Sequence, residues 1–244
     1  KKMRDFSDSH SPEWKKNLTP TILDFREYVK NLHISSERPI AHFSHYTYTH
    51  FPVEFDRHCH FHGNNKVWFD NNQNRKGVKE ETICALAQYE KFLQKLKELD
   101  AFENSLIVLK SDHGKPVKYN DHENIESFSI REHKLWGYGR YLPFLAIKGF
   151  GRSSSGIIHN NHPVILDDLA RTLCIHSGTI PDCSEYDGYN LLGDDFTEIE
   201  KNNVTMFVVK SPDSDHTYDT HEAITIQRGV DILGSLYTVL SLGY

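Results

Sequence analysis

A chain of 244 residues with 34 acidic and 28 basic side chains carries a formal net charge of −6 at pH 7. That length suits one sizeable domain or two small ones, and the charge balance argues against the basic stripe of a nucleic-acid binder. No apolar run approaches the roughly eighteen residues of a membrane-spanning segment.

Residues 1–20 are rich in Ser, Asp, His and Pro without periodicity, and read as an irregular arm. Ile22, Phe25, Tyr28, Val29 and Leu32 recur at helical spacing, which predicts a helix over 21–32. Pro39 opens a predicted strand, Ile40 to Ser44, within a His-, Tyr- and Thr-rich region. Residues 61–77 carry Gly and five Asn and read as a surface loop. A long amphipathic helix follows over 78–99, with Ile83, Leu86, Tyr89, Leu93 and Leu96 on its predicted apolar face.

Leu106-Ile107-Val108-Leu109 is an unbroken apolar run, of the kind buried on both faces of a parallel sheet. A second core strand is predicted over 142–147. Pro163 opens a predicted helix over 164–173, as proline suits a first helical turn. Short strands at 206–209 and 223–226 and an apolar stretch over 230–242 complete a C-terminal subregion spanning 206–244. Alternating strands and helices predict the α/β class: a three-layer α/β/α sandwich with a mostly parallel central sheet. In such sheets ligands sit beyond the carboxyl ends of strands, where Asp112-His113 falls.

Sixteen histidines favour a metal or phosphate site. Four cysteines form no Cys-x-x-Cys pair, which argues against a zinc knuckle. Cys84, within a helical pattern, reads as a buried thiol, whereas Cys174 and Cys183 enclose a loop that a disulfide would close in an oxidising compartment. The start, Lys1-Lys2-Met3-Arg4-Asp5, lacks the apolar run of a signal peptide.

A carboxylate and an imidazole in one turn can face the same divalent cation: Asp112 offers a hard oxygen and His113 a borderline nitrogen. A bare Asp-His-Gly is common, but its setting is informative. Glu103-Asn104-Ser105 leads into the apolar strand, which ends in Ser111-Asp112-His113-Gly114 after a long helix. This segment resembles the hallmark of the sulfatase family in the alkaline phosphatase superfamily.

Further elements fit the same resemblance. Thr49-His50-Phe51-Pro52 resembles the family's "PHxP" element, with His42 and His45 as nearby competitors. Tyr138 to Leu145 resembles its "Y…R-V-P-L" strand, preceded by Arg131-Glu132-His133-Lys134. Asn161 to Leu173 resembles a later, mainly structural helix of the family, and Asp187 to Leu192 the "DGxSLLP" element that follows it. Together they cover about residues 38–192.

The resemblance implies an alkaline phosphatase-like fold over 1–244 as a single partial domain. It implies metal ligation by Asp112 and His113 with zinc, manganese or calcium. His50 and His133 would act as catalytic groups on the oxygens of the transferred group, and Lys134 would bind substrate; His122 is an alternative. The implied activity is hydrolysis of a sulfate ester on a small molecule, glycan or lipid-linked anionic substrate, outside the cytoplasm. Phosphoethanolamine or phosphoglycerol transfer is the alternative, and a non-catalytic relative a third. No Cys-x-Pro-x-Arg occurs, so the nucleophile and further acidic ligands are expected in an N-terminal portion outside these residues, leaving this fragment inactive by itself.

Overall fold

The computed structural model describes residues 6–34, 40–113, 143–151, 164–178 and 180–193, and the backbone of strands at 127–130, 133–136, 203–209 and 220–227. The chain divides into two compact units, Lys1–Ser105 with Val117–Glu123, and Leu106–Pro116 with Asn124–Tyr244. Among the described residues no helix is long and apolar enough to cross a membrane.

Among the described residues, the first unit holds four helices: α1 (Glu13–Leu18), α2 (Thr21–Asn31), α3 (Lys66–Asn72) and α4 (Arg75–Glu98). Three expectations need correction here. Within the stretch read as an irregular arm, α1 forms, and Phe6, Ser9, Ser11, Lys15 and Thr19 are buried. Ile40 to Ser44 forms no strand and lies exposed. Much of the expected 61–77 loop is helix, because two of its asparagines are caps. Asn65 accepts the N–H of Trp68 at 3.1 Å, and Asn74 accepts that of Gly77 at 3.1 Å. Gly77 is also the contact point between the two helices: a Cβ there would lie 1.8 Å from the Asn72 carbonyl oxygen.

The core of this unit gathers Phe6, Ile22, Tyr48, Phe55, Cys59 and Cys84, with Phe61 and Tyr46 against it. Its rings meet edge to face, Phe6 on Phe61 at 4.9 Å and Phe25 on Tyr46 at 4.7 Å. The buried face of α4 is Gly77, Glu81, Cys84, Gln88 and Leu96, and Leu86 of the predicted apolar face is 44 % exposed. Polar and covalent anchors override hydrophobic periodicity on this helix. Cys84 is buried as expected, but as one half of a disulfide with Cys59 rather than as a thiol. Gln88 accepts from Arg26 Nε at 2.9 Å. Glu81 accepts the N–H groups of Glu54 and Phe55 at 2.9 and 3.2 Å.

Around Glu81 lies a buried charged set. Lys15 donates to the Tyr48 carbonyl at 2.6 Å, and Glu54 accepts from the hydroxyls of Ser9 and Thr19. Burial pushes the Glu81 carboxyl up to about 7, against the opposing pull of Lys15 and the two N–H groups. The same burial draws Lys15 down.

The second unit holds β1 (Ile107–Lys110), β2 (Ser127–Ile130), β3 (His133–Trp136), β4 (Leu145–Lys148), α5 (Leu166–Ser177), β5 (Asn203–Val209) and β6 (Thr220–Gln227). β1 pairs antiparallel with β4, from Ile107↔Lys148 to Lys110↔Leu145. β2 pairs antiparallel with β3, and β5 with β6. The described pairings are therefore antiparallel and two-stranded, and the expected parallel sheet is not among them.

Helix α5 is locked to the segment after it through buried polar groups. Asp168 accepts the Ile165 N–H at 2.7 Å, closing the first turn, and the Tyr189 N–H at 2.8 Å. Thr172 accepts the Leu191 N–H at 2.8 Å, while Arg171 donates to the carbonyls of Cys183 and Tyr186 at 3.1 and 2.6 Å. Gly188 makes the approach feasible, since a Cβ there would meet the Asp167–Asp168 backbone at 2.3 Å. The Cys174–Cys183 disulfide closes the intervening loop.

Candidate functional site

Two clusters of ligand-type side chains stand out, one in each unit. In the second unit, β1 runs past its last paired residue into Ser111. Its N–H reaches the Phe144 carbonyl at 3.0 Å, and its hydroxyl accepts the Phe144 N–H at 2.8 Å. The ladder ends there, and Asp112 and His113 follow. Asp112 Oδ1 accepts the His113 backbone N–H at 2.9 Å, and Asp112 Oδ2 lies 3.4 Å from His113 Nε2. The two side chains thus present an oxygen and a nitrogen side by side at a strand end.

The other residues singled out in the sequence are placed as follows. His50, in the first unit, is exposed; its Nδ1 lies 2.7 Å from the Phe51 carbonyl and its ring is edge-on to Trp14 at 5.0 Å. An Nδ1–H donated to that carbonyl fixes the tautomer and leaves Nε2 as the ring's second functional nitrogen. His42 and His45, its competitors, are exposed residues of the same unit. His133 and Lys134 lie on β3, in register with Ile130 and Ser129 of β2. His122 lies outside the described residues.

In the first unit, sequence reasoning missed a cluster. Phe55 and Phe61 form a bridge that closes a narrow loop. The Asp56 N–H donates to the His60 carbonyl at 3.1 Å, and the His62 N–H to the Glu54 carbonyl at 2.8 Å. Within it, Asp56 Oδ1 accepts the backbone N–H groups of His58 and His60, both at 2.9 Å. Its other oxygen, Oδ2, faces His60 Nδ1 at 3.1 Å and His62 Nε2 at 3.0 Å. The three ligand atoms lie within 4.8 Å of one another. Burial tends to raise the Asp56 carboxyl, but the His60 and His58 N–H groups and the two imidazoles outweigh it and hold it at about 2.

The loop is fixed from outside as well. Cys59, at its tip, takes a positive φ of 59° and is tied to α4 by the Cys59–Cys84 disulfide. Arg57 makes a two-pronged ion pair with Glu80, at 2.6 and 2.8 Å. The His62 ring stacks on Trp68 at 4.6 Å with the planes 20° apart. A signal for this cluster was present in the sequence as the dense run His58-Cys59-His60-Phe61-His62 two residues after Asp56.

Compared with family models, with curated proteins and with solved structures, the chain matches none.

Proposed function

We propose that this chain belongs to a metal-dependent hydrolase of the sulfatase type, cleaving a sulfate ester of a small-molecule, glycan or lipid-linked substrate on an alkaline phosphatase-like α/β/α scaffold. The observation that carries the reading is the Asp112–His113 pair at the end of β1, with its oxygen and nitrogen 3.4 Å apart. Neighbouring ligands of a four-coordinate zinc stand roughly 3.4 Å apart, given bonds of ~2.0–2.2 Å, so the spacing of the pair suits one divalent ion. A carboxylate with an imidazole suits zinc or manganese, and calcium would draw chiefly on the oxygen.

A divalent ion at this place would supply Lewis acidity toward the sulfuryl oxygens and lower the pKa of an attacking group. Asp112 and His113 would hold it. The family resemblance assigns His50, a residue of the first unit, to the oxygens of the transferred group. The family resemblance assigns His133 and Lys134, on β3, to the remaining oxygens. The reading requires a nucleophile, and these residues contain no Cys-x-Pro-x-Arg to supply it. Two disulfides support a place outside the reducing cytoplasm.

The test is metal analysis of the purified protein beside Asp112→Ala and Asp56→Asn variants, with aryl sulfate and aryl phosphate as substrates. The expected result is one equivalent of zinc, manganese or calcium lost on Asp112→Ala together with any sulfatase activity, and that activity kept on Asp56→Asn. Phosphate-ester turnover alone would move the reading to the phosphotransferases. Metal content indifferent to Asp112→Ala would overturn both.

A further inference from the structure

We infer that Asp56, His60 and His62 form a second, independent metal site, selective for zinc, with three protein ligands and a fourth position open to solvent. The donor set is the first ground. Two imidazole nitrogens and one carboxylate oxygen suit zinc and related first-row ions, whereas calcium and magnesium prefer all-oxygen shells. Three protein ligands with an open position is the arrangement of zinc sites that keep a bound water.

Geometry is the second ground. The carboxylate oxygen lies 3.1 and 3.0 Å from the two ring nitrogens. Zinc bonds of ~2.0–2.2 Å set neighbouring ligands roughly 3.4 Å apart, so the two oxygen–nitrogen separations need open by only a few tenths of an ångström, and all three atoms lie within 4.8 Å of one another. As the cluster stands, both imidazoles point a nitrogen at one oxygen, each through a proton. Zinc would take the place of those two protons, each passing to the ring's other nitrogen or to solvent, while keeping the three atoms on the same centre.

The third ground is preorganisation around the ligands. Asp56 Oδ1 is committed to two backbone N–H groups, so Oδ2 is the oxygen presented to the histidines. His62 is backed by the Trp68 ring, and the loop tip by the Cys59–Cys84 bond. Such outer-shell supports orient ligands and typically account for ~10–100-fold in metal affinity. His60 is the ligand nearest solvent, with its side chain 64 % exposed, so the open coordination position faces outward.

This site is independent of the sulfatase reading, and the experiment keeps the two apart. Zinc is titrated calorimetrically into the full chain carrying Asp112→Ala and His113→Ala, which removes the strand-end pair. One equivalent of zinc is expected to bind, and calcium is expected not to compete. Adding His60→Ala, or separately Asp56→Asn, should weaken binding by at least the ~10–100-fold typical of losing a mere outer-shell partner. His60 is exposed, so its replacement leaves the fold intact; circular dichroism and an unchanged free-thiol count verify that. Absence of zinc binding in the double variant, or affinity unchanged by His60→Ala and Asp56→Asn, would overturn the inference.

Discussion

The two clusters differ in how their ligands are brought together. Asp112 and His113 are adjacent in the chain, and a strand end suffices to set them side by side. Asp56, His60 and His62 converge because a loop is closed by a bridge, capped by its own carboxylate and tied to α4 by a disulfide. A site of the first kind depends on two residues and their immediate turn. One of the second kind depends on the packing of a whole unit, so changes remote from its ligands should reach it.

The largest effect that separates them is loss of the Cys59–Cys84 bond, which closes a loop of 25 residues. Replacing both cysteines by Ala should cost about 3–4 kcal/mol of stability by the chain-entropy account. It should also weaken zinc binding at Asp56, His60 and His62, because Cys59 at the loop tip would no longer be held in its left-handed conformation. Removing Cys174–Cys183, with a separation of 9 residues, should cost about 2–3 kcal/mol and leave that affinity alone. Denaturant unfolding and zinc titration on the two double variants measure both. Equal effects on zinc would erase the distinction between a unit-dependent and a turn-dependent site.

A smaller effect comes from Glu81, which holds the Glu54 and Phe55 N–H groups just before Asp56. Its carboxyl sits at about 7 in the fold, above the ordinary value of 4.5. A raised carboxyl means that the folded state keeps a proton that the unfolded chain releases. Its contribution is therefore fully present below pH ~4.5 and is lost as pH rises through about 7. The loss should be on the order of 1–3 kcal/mol. Glu81→Gln keeps an oxygen for the two N–H groups and removes the titration, so its stability should vary less over that window. Urea midpoints collected across pH on both proteins provide the check; parallel curves would remove Glu81 from the account of this region.

How much of this was legible in sequence follows the same division. Helix α2 was, since Ile22 and Phe25 are buried at the spacing that periodicity demands. Helix α4 was legible in extent but not in orientation. Its apolar spacing pointed to Ile83, Leu86, Tyr89, Leu93 and Leu96, of which Leu96 is buried and Leu86 exposed, whereas a disulfide at Cys84 and hydrogen bonds at Glu81 and Gln88 turn a neighbouring face inward. Helix α3 was hidden because Asn is both a turn residue and a helix cap; only its position relative to Trp68 decides between them. Asp112-His113 could be proposed from the chain because its ligands are contiguous. The Asp56 cluster showed only as a dense run of histidines, whose spacing means little until the Phe55–Phe61 bridge and the Cys59–Cys84 bond fold the loop on itself.

The smallest expected effect tests the strand-end side of the comparison. Asp112 is 59 % exposed at the side chain and accepts the N–H of its own neighbour, His113. Substitutions at such positions usually stay within about 0.5 kcal/mol, so Asp112→Ala should leave the unfolding midpoint nearly unchanged. Asp56→Ala removes the acceptor of two backbone N–H groups and two imidazoles and should cost about 1 kcal/mol, solvent exposure keeping the figure low. Urea unfolding of the two single variants in metal-free buffer compares them directly. A cost at Asp112 matching that at Asp56 would mean that the strand-end carboxylate is a structural cap, and the ligand reading of the pair would lose its physical basis.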